Sequence, residues 1–302
     1  MNPKVLPLRA MRRPSLLIVG CGDVGLRVAR RLGPRWRVIA LTSSAERVPL
    51  LRDAGVLPLQ GDLDDPATLA RLAGLAGWVL HLAPPPGSGD ADPRTAALLR
   101  ALARRGRTPR VVYGSTTGVY GDCGGQWLDE TRPVAPLTAR ARRRVDAEQR
   151  VRFFGRMTGG PASVLRIPGI YALDRPGGDP RERVARGVPV LARPDDVFTN
   201  HVHADDLAGA CIRALHLARP QRVYNVCDDS DLRMGDYYDL VADLAGLPRP
   251  PRVDREQARE RFSPMQWSFM GESRRIGNQR ARRELRWQPR YPTVREALGG
   301  PG

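Results

Sequence analysis

The stretch Leu16-Leu17-Ile18-Val19-Gly20-Cys21-Gly22-Asp23-Val24-Gly25, near the start of the chain, decides the fold. Its four leading apolar residues predict a buried strand, and a helical apolar repeat follows until Gly33-Pro34. Between strand and helix the glycines form G-x-G-x-x-G, a context in which this motif indicates a bound dinucleotide. An ordinary strand–helix turn is the alternative.

Each glycine of the motif has its own function in such a site. The first permits a tight turn, the second lets backbone N–H groups approach a pyrophosphate, and the third allows close helix–strand packing. The helix N-terminus adds positive partial charge. The residues expected to contact the cofactor here are Gly20, Gly22, Asp23, Val24 and Gly25.

Composition narrows the class of protein. The 302 residues, 41% of them hydrophobic, suffice for a substantial core. No apolar run approaches the roughly 18 residues of a membrane span, so no membrane partner is expected. Four cysteines without a C-x-x-C pair argue against a zinc ribbon or a disulfide framework and favour a cytoplasmic location. Residues 1–14 are basic and lack the apolar segment of a secretory signal, which predicts a flexible tail.

The net charge of +17 raises the question of a nucleic-acid partner. Lys4 is the sole lysine among the 49 basic residues. This preference for arginine indicates a compositional bias of the genome more than selection for phosphate binding. The arginines are dispersed and few aromatic residues stand among them to stack bases. We therefore expect no dedicated nucleic-acid partner.

The second predicted strand, 38–41, ends in a run of small hydroxyl residues, Thr42, Ser43 and Ser44, with Arg47 close behind. NAD-selective sites place a carboxylate at this strand end to bind the ribose hydroxyls. A carboxylate would repel a 2′-phosphate, whereas serine and arginine can bind it. We therefore expect NADP, with NAD less favoured; the alternative is that Thr42–Ser44 only cap the next helix.

A further predicted strand, Trp78–Ala83, is broken by the prolines at 84–86. In a doubly wound sheet the loops at the carboxyl ends of the strands line the ligand crevice. Leu82, Ala83 and Pro84 are therefore candidates for the wall beside the nicotinamide. His81 lies within the strand and is interpreted as a core residue.

The segment Gly114-Ser115-Thr116-Thr117-Gly118-Val119-Tyr120-Gly121 resembles the extended short-chain dehydrogenase/reductase superfamily of the NAD(P)-dependent epimerase/dehydratase type. That superfamily carries a Ser/Thr-rich turn followed by Val-Tyr-Gly. Segments 129–133, 165–171, 200–208 and 223–226 agree in the expected order, so the resemblance covers roughly residues 15–298. It implies that Thr116 orients the reacting oxygen and that Asp62 lies near the adenine, for which a turn cap is the alternative.

The chain departs from the superfamily at its usual catalytic Tyr-x-x-x-Lys, because alignment on Glu148 puts Arg140 and Arg144 at those two positions. An arginine, with a pKa above ~12, is no general acid near neutrality. Arg144 can still direct charge at a ribose or a phosphate. Tyr120 and Tyr171 are the candidate acids, with simple packing as the alternative. The departure resembles atypical members of the superfamily, several of which bind the cofactor without turning it over.

The sequence His201-x-His203 followed by Asp205 and Asp206 suggests a metal site, because alternate strand positions share one face. The resemblance implies instead that His203 leads into a turn and that Asp205 or Asp206 caps a helix from Leu207. We expect no metal.

These observations predict an α/β protein: a doubly wound, Rossmann-type parallel sheet with a small, mostly helical C-terminal lobe. Residues 15–172, completed by 197–228, would bind NAD(P), and residues 173–196 and 229–298 would form the substrate-side lobe. The predicted function is an NADP-dependent oxidoreductase or epimerase-like enzyme acting on a small polar substrate, for instance one similar to a nucleotide sugar. The alternative is a non-catalytic NADP-binding redox sensor or interaction module. The oligomeric state stays open.

Overall fold

A seven-stranded parallel sheet forms the centre of the computed structural model, which describes residues 13–104, 108–262, 267 and 270–299. Most of the predicted tail, residues 1–12, therefore lies outside the described residues. The sheet strands are β1 (Ser15–Val19), β2 (Arg37–Thr42), β3 (Leu57–Gln60), β4 (Trp78–His81), β5 (Arg110–Thr116), β7 (Ala162–Ile167) and β12 (Val223–Asn225). Their order across the sheet is β12-β7-β5-β4-β1-β2-β3.

Short strands and helices complete the fold. The short strands form four pairs: β6 (Trp127–Leu128) with β15 (Arg275–Ile276), β8 (Gly169–Tyr171) with β11 (His201–His203), β9 (Val190–Leu191) with β14 (Arg252–Val253), and β10 (Phe198–Thr199) with β13 (Leu232–Arg233). The helices are α1 (Asp23–Leu32), α2 (Arg47–Asp53), α3 (Pro93–Ala103), α4 (Ala139–Thr158), α5 (Pro180–Ala185), α6 (Ala204–Leu217), α7 (Met234–Ala245), α8 (Arg255–Arg261), α9 (Gln279–Leu285) and α10 (Val294–Gly299).

The apolar strands are buried on both faces, as expected of a doubly wound sheet. Along β1, Leu16 and Ile18 join the core that contains α1 and α6, while Leu17 and Val19 join the core under α3 and α4. The strand order reverses at β1, which pairs with β2 on one side and β4 on the other. Ligands in such sheets bind at this reversal, outside the carboxyl ends of the strands. The predicted fold class is confirmed.

Two local features depend on their N-cap residues. Residues Pro66–Leu72 form a 3₁₀ helix with Asp65 as its N-cap. Helix α6 begins at Ala204, because the Nδ1 of His203 accepts a hydrogen bond from the Asp205 N–H at 3.2 Å and makes His203 the cap. The assignment of that cap to Asp205 or Asp206 was wrong.

Apolar side chains of segments 173–196 and 229–298 join two small cores outside the sheet core. One contains Val184, Tyr237 and Val241 together with Tyr171, and the other contains Leu191 and Phe262. Ala281, Leu285 and Trp287 belong instead to the sheet core that contains α1 and α6. In the portion of the chain with described coordinates, no helix combines the length and the apolar character that a membrane crossing requires.

We predict that Gly20→Ala destabilises the protein by about 3 kcal/mol. Gly20 has φ +84°, which disfavours a side chain, and a Cβ there would lie 2.3 Å from the backbone nitrogen of Ala83. The matched control is Gly22→Ala, because a Cβ at Gly22 meets nothing within 4 Å. Urea unfolding measures both variants, and an equal free energy of unfolding for the two would contradict this account.

A second prediction concerns pH. Burial raises the pKa of Asp228 to about 8, although hydrogen bonds from Ser230 oppose the shift. The folded state therefore holds a proton that the unfolded chain, with an aspartate pKa near ~4, releases. Protonated Asp228 contributes its full stabilisation below about pH 4. This stabilisation is lost as the pH rises towards 8, by up to about 1.4 kcal/mol per pH unit. Asp228→Asn should therefore become more stable relative to the parent as the pH rises between those limits. Urea unfolding at several pH values measures this difference, and free energies of unfolding that change in parallel with pH would refute it.

Candidate active site

The remaining two glycines of the turn after β1 differ in what surrounds them. At Gly22 a Cβ would meet no atom within 4 Å, so the space beside its backbone is open. At Gly25, a Cβ would lie 3.2 Å from the Sγ of Cys21 and 3.2 Å from the Cγ2 of Ile18, so this glycine permits close helix–strand packing. Together with the tight turn at Gly20, this arrangement has the features that a pyrophosphate cradle needs.

Helix α1 begins directly behind the turn, with Gly22 as an N-cap that offers no side chain. Val24 is buried, and the Asp23 carboxylate lies 3.1 Å from the Nε of Arg27 and 3.3 Å from the Nε of Arg175. Arg27 is shared with Asp174 and Asp205, so Asp23 is one member of an ion-pair network at the start of α1. The arginines of this network reduce the repulsion that the Asp23 carboxylate would exert on an anion at the helix N-terminus.

The end of β2 brings the predicted 2′-phosphate residues close to the glycine turn. The Nη2 of Arg47 donates to the carbonyl oxygen of Cys21 at 2.6 Å, so its guanidinium lies across the turn. The Thr42 hydroxyl accepts a hydrogen bond from the Ser44 N–H at 3.2 Å, and Ser43 is exposed. Helix α2 has Glu46 as its N-cap, so Thr42–Ser44 do not cap it.

The other predicted contacts flank the same crevice. The backbone N–H groups of Leu82 and Ala83 both donate to the carbonyl oxygen of Val19, at 2.7 and 3.0 Å, which fixes the end of β4 against the turn; Pro84 is exposed just beyond. Asp62 is half-buried, and its Oδ1 accepts a hydrogen bond from the Asp64 N–H at 2.9 Å. Asp62 thus caps its own turn.

A cavity of about 660 Å³ opens beside the end of β5, between the sheet and the lobe. Thr116 lines it, is half-buried and caps the following 3₁₀ helix by accepting from the Gly118 N–H at 3.3 Å. Arg140 lines the cavity from α4. Loss of solvent there and repulsion from Arg144 and Arg143 lower the pKa of Arg140.

Arg144, one helical turn after Arg140, turns towards the sheet. Its Nη1 donates to the hydroxyl of Tyr113 at 3.0 Å and to the carbonyl oxygen of Gly114 at 2.8 Å. Burial raises the pKa of Tyr113 to about 12 although Arg144 opposes the shift, so the phenol stays neutral. Arg144 therefore fixes a positive charge against β5, two residues before Thr116.

Tyr120 is only 1% exposed, and its hydroxyl donates to Asn225 Oδ1 at 2.8 Å. The Arg166 guanidinium lies over its ring at 4.6 Å and pairs with Glu148 at 2.7 Å, which also accepts the Ser115 hydroxyl at 2.6 Å. Burial raises the Tyr120 pKa. The geometry gives this residue a packing role inside a buried polar network.

Tyr171 lines the cavity, but its hydroxyl points at the buried Asp228, with 3.5 Å between Oη and Oδ2. Beside it lies His201, whose ring stacks on Tyr237 with centroids 4.0 Å apart. Sequence reasoning assigned His201 only to a possible metal pattern and missed its position in the cavity. Among the residues with described placement, no group of three His, Cys, Asp or Glu side chains could hold a metal.

Arginine side chains dominate the charged lining of the cavity. Over the described parts of the chain, five arginines face it against three carboxylates: Arg140, Arg175, Arg183, Arg186 and Arg274, with Asp179, Glu182 and Glu272. Arg274 lines this cavity, whereas Arg275 and Arg280 do not.

Two relatives cover most of the chain. The protein YeeZ of Escherichia coli strain K12 is 28% identical over 246 residues, which are 78% of this chain and 85% of that protein. A conserved protein of unknown function from Silicibacter pomeroyi DSS has a solved structure that superposes with a TM-score of 0.81 at 33% identity, covering 94% of this chain and 96% of the other.

Solved structures of lower identity share the fold. UDP-glucose 4-epimerase from Thermotoga maritima, solved with UDP-glucose, gives a TM-score of 0.76 at 20% identity over 94% of this chain and 96% of its own. UDP-glucuronic acid 4-epimerase from Bacillus cereus, in complex with NAD, gives 0.74 at 16% identity over 95% and 97%.

The family assignment follows from the sequence match to a family model, which extends over residues 16–227, more than half of the chain. The matched region runs from the apolar strand before the glycine turn to the residues just after β12, and so contains all seven strands of the sheet except Ser15, the first residue of β1. This protein belongs to the NAD-dependent epimerase/dehydratase family.

Proposed function

We propose that the protein is an NADP-dependent oxidoreductase or epimerase/dehydratase-like enzyme that acts on a small polar substrate. The observation that carries this proposal is the pairing of an open glycine turn at Gly22 with a 660 Å³ cavity at the end of β5. A dinucleotide laid from the turn along the strand ends would bring its nicotinamide towards that cavity. Nucleotide sugars are one candidate substrate class, because solved structures of the same fold contain them.

The residues of the turn fit a nicotinamide dinucleotide. Gly22 leaves room for a pyrophosphate, the start of α1 offers backbone N–H groups, and Leu82–Pro84 form a wall beyond β4. The cofactor, when bound, supplies hydride acceptance and donation. The chain binds it, orients it and encloses the substrate next to it.

The preference for NADP rests on charge at the end of β2. Ser43 and Ser44 offer hydroxyl groups there, and Arg47 is held close by its hydrogen bond to Cys21. Such a set can bind a 2′-phosphate by charge-assisted hydrogen bonds. Asp62 lies on the next strand end, beside the expected adenine position.

On the substrate side we assign the orientation of the reacting oxygen to Thr116 and the fixed positive charge near the ribose to Arg144. Residues 15–172 with 197–228 would bind the cofactor, and residues 173–196 with 229–298 would select the substrate. The arginine excess in the cavity favours an anionic substrate group. The four unpaired cysteines favour a cytoplasmic location.

A second candidate function is a non-catalytic NADP-binding sensor or interaction module. It is favoured by Arg140 and Arg144 at the positions of the usual Tyr and Lys, and by the buried hydroxyl of Tyr120. The test is a fluorescence titration of the protein with NADPH and NADH, followed by NADPH oxidation with a panel of carbonyl compounds and nucleotide sugars. Turnover supports the enzyme, binding without turnover supports the sensor, and no binding removes both.

We expect Gly22→Asp to abolish NADPH binding, because the side chain and its charge would occupy the space left for the pyrophosphate. Gly77→Asp is the matched control: it adds the same charge where a Cβ also meets nothing within 4 Å, but just before β4, at the amino edge of the sheet. The titration measures both variants. NADPH affinity that survives in Gly22→Asp would rule out this turn as the binding site.

Arg47→Glu should weaken NADPH binding by roughly 100-fold and NADH binding far less, because only NADPH carries the 2′-phosphate that Arg47 would contact. Arg52→Glu on the same helix is exposed and serves as the control for charge alone. The ratio of the two dissociation constants is the readout. An equal loss for both nucleotides would mean that Arg47 only braces the glycine turn through Cys21.

A further inference from the structure

We propose that His201 donates a hydrogen bond from Nε2 to the reacting oxygen of the substrate and so polarises it, without replacing the acid that is missing at position 140. The inference rests on the proposed function and identifies a further catalytic residue for it. Sequence reasoning considered His201 only as a metal ligand, and no carboxylate or cysteine among the described residues joins it in such a site.

Strand register relates His201 to Thr116 through one short stretch of backbone. Thr116 is the partner of Ile167 in the β5–β7 ladder, and the chain continues through Pro168 to Gly169. Gly169 is in turn the partner of His201 in the β8–β11 pair. Thr116 and His201 both line the same cavity.

The imidazole ring has little freedom to move. It stacks on Tyr237 at an interplanar angle of 13° and meets the ring of Tyr171 edge-on at 86° and 6.2 Å. Its third side faces Gly169, which has no side chain; a Cβ there would lie 3.1 Å from the ring Cδ2. The backbone is fixed as well, because the carbonyl oxygen of His201 accepts the Asp228 N–H at 2.8 Å. A donor held this firmly is preorganised.

The two ring nitrogens have different surroundings. Nδ1 is enclosed, and no described residue forms a hydrogen bond with it. Nε2 lies on the side of Gly169, where a Cβ would be 3.7 Å from it, and Gly169 also lines the cavity. Orphaned buried N–H groups are rarer in proteins than orphaned acceptors. The proton therefore belongs on Nε2, where water or a substrate oxygen can accept its hydrogen bond.

Burial lowers the pKa of His201 to about 3, which keeps the ring neutral near pH 7. The titratable groups that face it are the phenols of Tyr171 and Tyr237, and burial raises the pKa of both, so they too stay neutral. Beyond Tyr171 lies Asp228, which burial holds largely protonated up to about pH 8. Among the residues that the structure describes, burial alone shifts the pKa of His201, without a contribution from a charged neighbour.

A neutral imidazole is a poor base at this pKa but a useful donor. Its N–H hydrogen bond strengthens as negative charge develops on a carbonyl oxygen, and the proton stays on nitrogen. Enzymes use neutral imidazoles of lowered pKa in this way to polarise carbonyl groups. The competing account is that His201 only fills space between Tyr171 and Tyr237.

Two substitutions separate these accounts. His201→Phe keeps an aromatic ring on Tyr237 and removes the donor, whereas His201→Gln loses the stacking but can carry an amide N–H near the position of Nε2. Donation predicts that His201→Phe lowers kcat by about 100-fold with NADPH affinity unchanged, and that His201→Gln stays within about tenfold of the parent. The control is His216→Gln, an exposed histidine on α6.

The kinetic measurement uses the full chain, NADPH and the carbonyl compound turned over fastest in the panel. If the parent turns substrate over and His201→Phe is equally active, the inference is overturned while the proposed function stands. The same holds if His201→Gln has a lower kcat than His201→Phe. Absence of turnover in the parent overturns the proposed function itself. The two failures are thus distinguishable.

A second measurement needs no turnover. In protein labelled with ¹⁵N-histidine and saturated with NADP⁺, long-range ¹H–¹⁵N spectra report the tautomer of each of the four histidines. The signal missing from His201→Gln identifies His201. We expect a neutral ring protonated at Nε2 between about pH 6 and 8. A proton on Nδ1, or titration within that range, overturns the inference.

Discussion

The contact between the backbones of Gly20 and Ala83 is the constraint on which the crevice depends. It joins the end of β1 to the end of β4 at the point where the strand order reverses, and two N–H groups beyond β4 donate to the carbonyl oxygen of Val19. From that fixed point the chain diverges on both sides. Helix α1 leads away with its open N-terminus, while Pro84 and the residues after it lead the other way, so a groove lies between them.

The second half of the site is assembled differently. No single segment forms the cavity: Thr116 comes from a sheet strand, Arg140 from α4, and the remaining walls from β8, β11 and the lobe. Its charge is set by arginine, which carries fixed positive charge at any physiological pH and offers planar donors to carboxylate or phosphate groups. Its aromatic floor of Tyr171, His201 and Tyr237 carries no charge. A ligand with an anionic end and a polar, uncharged reacting end matches that division.

The fold was predictable because its determinants are local. A run of four apolar residues, three glycines at fixed spacing and a helical repeat stand side by side in the sequence, and each retains its local preference in the folded chain. The start of α6 was missed because a histidine, unlike serine or aspartate, is an unusual cap. The direction of the Tyr120 hydroxyl could not be predicted from the sequence, because its partner Asn225 is distant in the chain and is brought near it only by the folded sheet. The stacking of His201 on Tyr237 is equally non-local.

The reversal of strand order at β1 has a consequence for how such proteins change over time. The groove is a product of connectivity, since it exists wherever the chain crosses from one side of β1 to the other, whatever side chains line it. Arg144, at the position where the sequence comparison expects a lysine, is anchored on β5 through the carbonyl oxygen of Gly114. Proteins with this strand order can therefore change their reactive side chains while the groove persists. The groove then remains a binding site in which a different reaction can evolve.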